Sequence, residues 1–288
     1  MSDTSAQVTG LAPRVKVHHG LALRHTTVVQ VGRPAPRTAR ITLGGPELED
    51  LVSLGPTGHV KVYLPDPVTG ELAVPMVRTD GSLHRPADGT VHVRDYTVRA
   101  HRAAGPSGPE IDIDMVLHGD GGPAASWAAR AATGQSLILA GPKSSKLVPE
   151  GVRSVLLGCD ESALPAVARW LELLPQDVTV MVLAEVSTAG DESYLDDLLG
   201  ARPHLDIAWL HRGESAPGTT DLLERAVRAQ PPADFTWCAG EAGSLVGVRR
   251  HLRRELGLPA SRVEITGYWR RGVADFDHHS PLDPKDPD

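Results

Sequence analysis

The hydrophobic rhythm of the chain changes near residue 150, and this change constrains the fold more than any other feature. Before it, short alternating runs rich in β-branched residues are separated by glycine and proline, which is typical of a small antiparallel barrel. Six such runs predict its strands, at residues 26–31, 38–43, 59–64, 91–93, 110–116 and 137–139. One alanine-rich helix is predicted near residues 124–132.

After residue 151, nearly continuous apolar strands alternate with amphipathic helices. This alternation predicts an open parallel sheet with helices on both faces. The sequence therefore predicts a β-barrel domain at residues 15–145 and an α/β domain at residues 151–273. The first residues, 1–14, and the last, 275–288, are expected to be disordered, the latter because they are rich in aspartate and proline.

Composition and charge exclude several classes of protein. The net charge of −7 argues against a nucleic-acid binder. No apolar stretch approaches the roughly 20 residues that span a bilayer, and the N-terminus lacks the basic and apolar regions of a secretory signal. Cys159 and Cys238 end apolar runs and are expected to be buried thiols without a disulfide. We therefore expect a cytoplasmic monomer that binds neither nucleic acid nor membrane.

Two short blocks carry the residues that suggest a ligand. In the first, Arg94 and Tyr96 stand two apart on a predicted strand, so their side chains share one face. Arg94 suits a pyrophosphate oxygen, Tyr96 offers a plate for a flat ring, and Thr97 can donate to the ring's polar edge. An exposed cross-strand pair of arginine and tyrosine is the alternative.

The second block places an imidazole beside the start of a helix. His118 and Gly119 end a strand, and Gly122 and Pro123 begin a helix whose free N–H groups form an anion site. Ser126 adds a hydroxyl to this site. Trp127 packs against either a ligand ring or the core. The two blocks together favour a ligand with both a flat ring and phosphates, most simply a flavin dinucleotide.

Further motifs make this pattern specific. They lie at residues 94–99, 118–120, 122–128, 141–142, 160–166, 239–242 and 267–272. This series, over roughly residues 15–273, resembles the siderophore-interacting protein family of flavoproteins. The resemblance implies a ferredoxin reductase-like fold, in which an FAD-binding barrel precedes a pyridine-nucleotide-binding α/β domain. It also implies a cytoplasmic reductase of ferric siderophores, which releases iron by reducing Fe(III) to Fe(II).

The resemblance also implies which residues hold FAD. In the barrel these are Arg94, Tyr96, Thr97, His118, Gly119, Ala125, Ser126 and Trp127. Asp160, Glu161 and Ser162 match the family's Asp-Glu-Thr, which is expected near the adenosine portion or the domain interface. Helix N-capping is the alternative for Asp160. No catalytic side chain is assigned, because the chemistry belongs to the cofactor. No metal site is expected, and His278 and His279 lie in the acidic tail.

The substrate and the electron donor are less constrained. Ferric catecholate complexes are anionic, so Lys143, Lys146, Arg270 and Arg271 are candidates to bind them, with a solvated surface as the alternative. No G-x-G-x-x-G follows a strand of the second domain, which leaves NADH, NADPH and ferredoxin open as donor. Four arginines at positions 249, 250, 253 and 254 form either a solvated face or a contact for NADPH phosphate or ferredoxin.

Two other functions fit the same sequence. One is a flavin reductase or electron-transfer protein that serves another acceptor. The other is a non-catalytic siderophore-binding protein that keeps the fold. The predicted loop at residues 65–89 is expected to shape the pocket for the acceptor, so the sequence does not identify the siderophore.

Overall fold

A computed structural model describes residues 11–74, 76–78, 83–84, 91–119, 122–200 and 202–286. Positions 75, 79–82 and 85–89 of the predicted loop lie outside this description. The first part of the chain contains β1 (Lys16–His18), β2 (Leu23–Ala35), β3 (Thr38–Gly44), β4 (His59–Leu64), β5 (Met76–Val77), β6 (Leu83–His84), β7 (His92–Thr97), β8 (Ala100–Gly105), β9 (Gly108–Val116), α1 (Pro123–Ala129), β10 (Ser136–Ala140) and β11 (Ser144–Lys146).

Seven of these strands form one antiparallel sheet in the order β7-β4-β10-β2-β3-β9-β8. Only Val98 and Arg99 separate the two outermost strands along the chain, so the sheet curls until those strands meet. The N–H of Val98 donates to the carbonyl of Gly58 (2.8 Å), and that of Arg99 donates to the carbonyl of Asp112 (2.9 Å). The prediction of an antiparallel barrel is confirmed.

The barrel has seven strands rather than the predicted six. The additional strand is β8, whose sequence Ala-His-Arg-Ala-Ala-Gly contains no β-branched residue. It pairs with β9, and the Arg102 guanidinium donates to both carboxylate oxygens of Asp112 at 2.7 Å. This strand is defined by the partner that it pairs with, not by its own propensity, which explains why the sequence pattern missed it.

Inward-facing side chains of the barrel strands form its core. The main members are Ile41, Leu43, Val60, Val62, Ile111, Ile113, Leu137 and Leu139. Helix α1 packs against β3, β4, β7 and β9. Its residues Trp127 and Ala128 are buried in the same cluster. The helix is therefore held firmly against the strand that carries the first ligand block.

The second part of the chain forms a five-stranded parallel sheet in the order β14-β13-β12-β15-β16. Its elements are β12 (Ser154–Asp160), α2 (Leu164–Leu173), β13 (Thr179–Val186), a 3₁₀ segment (Ala189–Leu198), β14 (Leu205–His211), α3 (Leu222–Arg228), β15 (Phe235–Glu241), α4 (Leu245–Arg250) with a π turn (His251–Glu255), and β16 (Val263–Trp269). The connection between β13 and β14 is therefore this 3₁₀ segment, whereas α-helices follow β12, β14 and β15.

Successive residues of the central strand face two different cores. Leu157 and Cys159 pack in one cluster with Trp170 of α2. Leu156 packs in the other with Leu223 of α3 and with Cys238. Helices therefore cover both faces, as predicted. Both cysteines are free and buried. In the described part of the chain, no helix has the length and apolar character needed to cross a membrane.

The chain beyond the two sheets differs from the composition-based expectation of disorder. Arg14 is buried, its guanidinium lies 4.5 Å from the Trp170 ring centroid, and it donates to Glu264 at 2.9 Å. Near the C-terminus, Leu282 is buried and Phe276 packs against the same cluster as α3 and α4. These apolar anchors hold residues 275–286 against the protein, although aspartate and proline dominate the composition there.

Candidate functional site

The first ligand block lies on β7. Tyr96 packs against the barrel core, and burial raises its pKa to about 12. Arg94 is half-buried, and its Nη1 donates to the Val93 carbonyl at 2.8 Å. The same nitrogen contacts the Asp275 carboxylate at the start of the C-terminal tail. Arg94 therefore already binds an anion, in the position where the sequence predicts a phosphate.

Thr97 ends β7 and is buried. A hydrogen bond joins its side chain to the Tyr268 hydroxyl on β16, and burial raises the pKa of Tyr268. Arg99 and Glu172 add an ion pair of 2.6 Å between the barrel and α2. Thr97 thus stands at the contact between the two sheets, and its hydroxyl links them.

The second block lies at the start of α1. Gly122 is the residue before the helix, and no side chain caps the helix there. A Cβ added at this glycine would lie 3.4 Å from the His118 ring, so the chain is compact at this turn. His118 and Gly119 are exposed, Ser126 is half-buried, and Ala125 is buried. Because α1 packs on β7, both predicted blocks lie on neighbouring elements.

Trp127 belongs to the barrel core, which is the second of the two alternatives that the sequence allowed for this residue. Asp120 and Gly121 lie outside the described residues. The open, uncapped helix start, the exposed imidazole and the half-buried guanidinium fit a ligand with a phosphate group and an aromatic ring. These residues are therefore compatible with FAD.

Asp160 connects three strands at the carboxyl edge of the parallel sheet. Its Oδ1 accepts from the N–H and hydroxyl of Ser162 (2.9 and 2.5 Å). Its Oδ2 accepts from the Glu241 N–H (2.9 Å) and from Trp269 Nε1 (2.8 Å). The carboxylate approaches Gly240 so closely that an added Cβ would lie 2.7 Å from it. Asp160 therefore caps the following turn and joins β12 to β15 and β16.

Burial raises the pKa of Asp160 to about 6, despite the hydrogen bonds from Ser162 and Trp269, which lower it. The ordinary value is 3.8, so the folded protein holds this proton more tightly than the unfolded chain does. The contribution of protonated Asp160 to the free energy of unfolding is therefore fully present below pH 4, and it is lost as the pH rises through 6.

Replacing Asp160 with asparagine removes this titration. We expect the difference in free energy of unfolding between wild type and Asp160→Asn to shrink by on the order of 1–3 kcal/mol between pH 4 and pH 7. Urea denaturation at several pH values measures it. Asp206→Asn, at an exposed position on β14, is the control and should track wild type. A difference in free energy of unfolding that does not change with pH would contradict the raised pKa of Asp160.

Glu161 and Arg212 form a buried ion pair beside Asp160. Nη2 of Arg212 lies 2.5 Å from Oε1 of Glu161, and Nη1 donates to Oε2 at 2.8 Å. Both side chains are less than a tenth exposed. Glu185, whose pKa burial raises, lines the same cleft with Gly240 and Glu241. Glu161 is thus engaged within the protein, and the sequence missed Arg212, which follows the end of β14.

The four predicted substrate cations differ in what they contact. Lys146 donates to Glu264 at 2.8 Å. Arg270 stacks on Phe276 at 5.3 Å and contacts the Leu282 carbonyl. Lys143 and Arg271 are exposed. The described contacts tie Lys146 and Arg270 to protein partners, and they do not bring the two lysines and the two arginines into one cluster.

The arginines after β15 are also held by the protein. Arg249 and Arg254 both pair with Asp286, at 3.3 and 2.6 Å. Arg253 contacts the Leu258 carbonyl. These contacts fix the end of the C-terminal tail to α4 and to the π turn. Arg249, Arg253 and Arg254 are therefore engaged within the protein, and they do not form the freely solvated face that was the alternative to a nucleotide contact.

Two family models match the chain, one over each sheet. The model described as the siderophore-interacting FAD-binding domain matches residues 27–146. The model described as siderophore-interacting protein matches residues 152–272.

Named relatives agree with these matches. An NADPH-dependent ferric-chelate reductase of Escherichia coli is 33% identical over 259 residues, which cover 88% of this chain and 95% of the relative. A ferric vibriobactin reductase of Vibrio cholerae is 30% identical, covering 83% of this chain and 86% of its own. The crystal structure of a siderophore utilization protein from T. fusca is 40% identical with a TM-score of 0.84, covering 93% of this chain and 100% of that one.

Proposed function

This chain belongs to the siderophore-interacting protein family, and on that premise we propose that it is a cytoplasmic FAD-dependent reductase of ferric siderophores. The observation that carries the proposal is the packing of α1 on β7, which puts the uncapped helix start and Arg94 on neighbouring elements. We assign FAD binding to residues 15–145 and pyridine-nucleotide binding to residues 151–273. We propose that the protein acts as a monomer.

In this proposal, bound FAD would supply the electron-transfer chemistry that links a two-electron donor to the one-electron reduction of iron. Arg94 binds the pyrophosphate, and Tyr96 packs against the ring. The N–H groups of Gly122, Ala124 and Ala125 add positive potential for the phosphates. His118, Gly119 and Ser126 complete the cradle, while Ala125 and Trp127 support it from the core.

The second domain positions the donor and the acceptor. Asp160 and Ser162 hold the turn at the edge of the sheet, and Glu161 fixes Arg212 there. Because the cleft is lined by carboxylates and its arginine is already paired, an anionic donor or acceptor needs other cations. Lys143 and Arg271 are exposed and suit this role, whereas Lys146 and Arg270 contact protein partners. The name of the Escherichia coli relative supports NADPH as donor.

Anaerobic reduction followed by oxidation tests the proposal directly. The purified protein should show a flavin absorbance spectrum or acquire it with FAD. Stopped-flow mixing with NADPH, NADH or reduced ferredoxin identifies the donor, and a ferric siderophore should then reoxidise the protein. We expect turnover with ferric siderophores to exceed that with free flavin and quinones. Protein that takes up no FAD, or that reduces no ferric siderophore, would contradict the proposal.

A further inference from the structure

The C-terminal tail brings two imidazoles and a carboxylate together beside β7. Asp277, His278 and His279 each offer a donor atom within 4.8 Å of the other two. The rings of His278 and His279 lie 4.0 Å apart between centroids, and His59 at the start of β4 contacts His278 edge-on at 4.9 Å. Imidazole and carboxylate donors together suit first-row divalent metals, and two histidines with one carboxylate are a known donor set for Fe(II).

One nitrogen of His278 is prepared to bind a metal. Its Nδ1 lies 3.4 Å from Oδ2 of Asp95, a carboxylate that also accepts from Lys61 at 3.0 Å. Its Nε2 is buried and has no hydrogen-bond partner among the residues that the structure describes. A carboxylate at Nδ1 places the ring proton there and leaves the Nε2 lone pair free, as in metal sites where a carboxylate orients a ligating histidine.

The segment that carries these ligands is anchored on both sides. Arg94 contacts Asp275 before them, and Leu282 is buried after them. Two ligands bound at about 2.1 Å from one ion are at most about 4.2 Å apart. Three ligands around one ion lie closer still, about 3.0–3.6 Å apart, so these donors need to close by up to roughly 1–2 Å, which the exposed Asp277 and His279 can do by side-chain rotation.

We propose that Asp277, His278 and His279 form a site for a divalent transition metal, oriented by Asp95, and that its occupant is the Fe(II) released by siderophore reduction. The identity of the occupant rests on the proposed function, whereas the site itself does not. Arg94 contacts Asp275, which is two residues before Asp277, so the site adjoins the proposed FAD cradle. The product ion would then have an N/O ligand set next to the place where it forms.

Calorimetric titration of the tag-free full chain with Co(II), and anaerobically with Fe(II), tests the site. We expect one equivalent to bind to wild type, and His278→Gln/His279→Gln to weaken binding at least 100-fold. Asp95→Asn should weaken binding 10–100-fold as a positioning variant. His204→Gln, at an exposed histidine elsewhere, should bind as wild type does. Equal binding by wild type and the double variant would overturn the site.

A separate turnover measurement keeps the two proposals distinguishable. Reduction of a ferric siderophore is followed by flavin reoxidation, while a colorimetric chelator reports free Fe(II). We expect the double variant to reduce iron at the wild-type rate and to release Fe(II) to the chelator without the delay shown by wild type. Cobalt binding without any ferric reduction would support the site and reject the proposed function. Binding of Co(II) but not Fe(II) would overturn the assignment of the occupant.

Discussion

Replacing Arg212 with methionine is expected to lower the free energy of unfolding by about 3–5 kcal/mol, because it leaves a buried carboxylate without its partner. Glu161 accepts from Arg212 at 2.5 and 2.8 Å, and both side chains are almost fully buried. Glu185 lines the same cleft, and the charge of Arg212 lowers the Glu185 pKa against the effect of burial, so methionine would remove a favourable charge from this carboxylate as well. Chemical denaturation at neutral pH, with and without FAD, measures the effect.

A matched exposed pair provides the control. Arg225 pairs with Asp221 one helical turn away at 3.1 Å, and both side chains are about two-thirds exposed. Exposed pairs contribute at most about 1 kcal/mol, so Arg225→Met should remain close to wild type. In the double variant Glu161→Gln/Arg212→Met both charges are absent, and we expect it to be more stable than Arg212→Met alone. Similar stabilities for Arg212→Met and Arg225→Met would show that burial does not control this pair.

Glu161 and Arg212 are far apart along the chain, which explains why the sequence did not predict that they pair. Glu161 was predicted from its own motif, but its partner lies 51 residues later, after a different strand. The available signal is positional: a charged residue that follows a parallel strand lies at the edge where ligands bind. Arg212 follows β14 and Asp160 ends β12, so their convergence becomes visible only once the strand order is known.

Patterns that depend on nearby residues were predicted well. Alternation in β2 and β4, and apolar runs in β12 and β15, gave the two sheets, because side-chain burial sets these periods directly. Strand β8 was missed because pairing with the next strand, and not its own propensity, defines it, and the C-terminal tail was missed because its partners are distant in sequence. Arg102 binds Asp112 across a ladder, and Leu282 reaches the core of the second sheet. Amino-acid composition predicts neither of these two contacts.

The candidate site likewise combines features that nearby residues predict with a contact between residues that are distant in sequence. Arg94 and Tyr96 were found by their spacing on one strand, and α1 by its glycine and proline. The sequence did not predict that Asp275 contacts Arg94, which lies 181 residues earlier in the chain. That contact links the tail to the proposed cofactor site, since a carboxylate and a phosphate compete for the same guanidinium.

Replacing Arg94 with glutamine is expected to raise the dissociation constant for FAD by about 10–150-fold. Loss of a hydrogen bond to a charged group costs roughly 1.5–3 kcal/mol, which corresponds to this factor. Titration of the apoprotein with FAD, monitored by the quenching of FAD fluorescence, measures this dissociation constant. Arg33→Gln, at an exposed position on β2 of the same barrel, is the control. Wild-type affinity in Arg94→Gln would contradict the assignment of Arg94 to the pyrophosphate.

A second substitution separates the role of Arg94 from general damage to the barrel. Asp275 has a positive φ of 53°, a conformation that asparagine also adopts, so Asp275→Asn should keep the backbone. Removing this anion frees the guanidinium, and we expect FAD to bind more tightly, most clearly at low salt. In the Arg94→Gln background the same change should have no effect, because the competition requires both side chains. An equal gain in both backgrounds would mean that Asp275 acts on the cofactor site without Arg94.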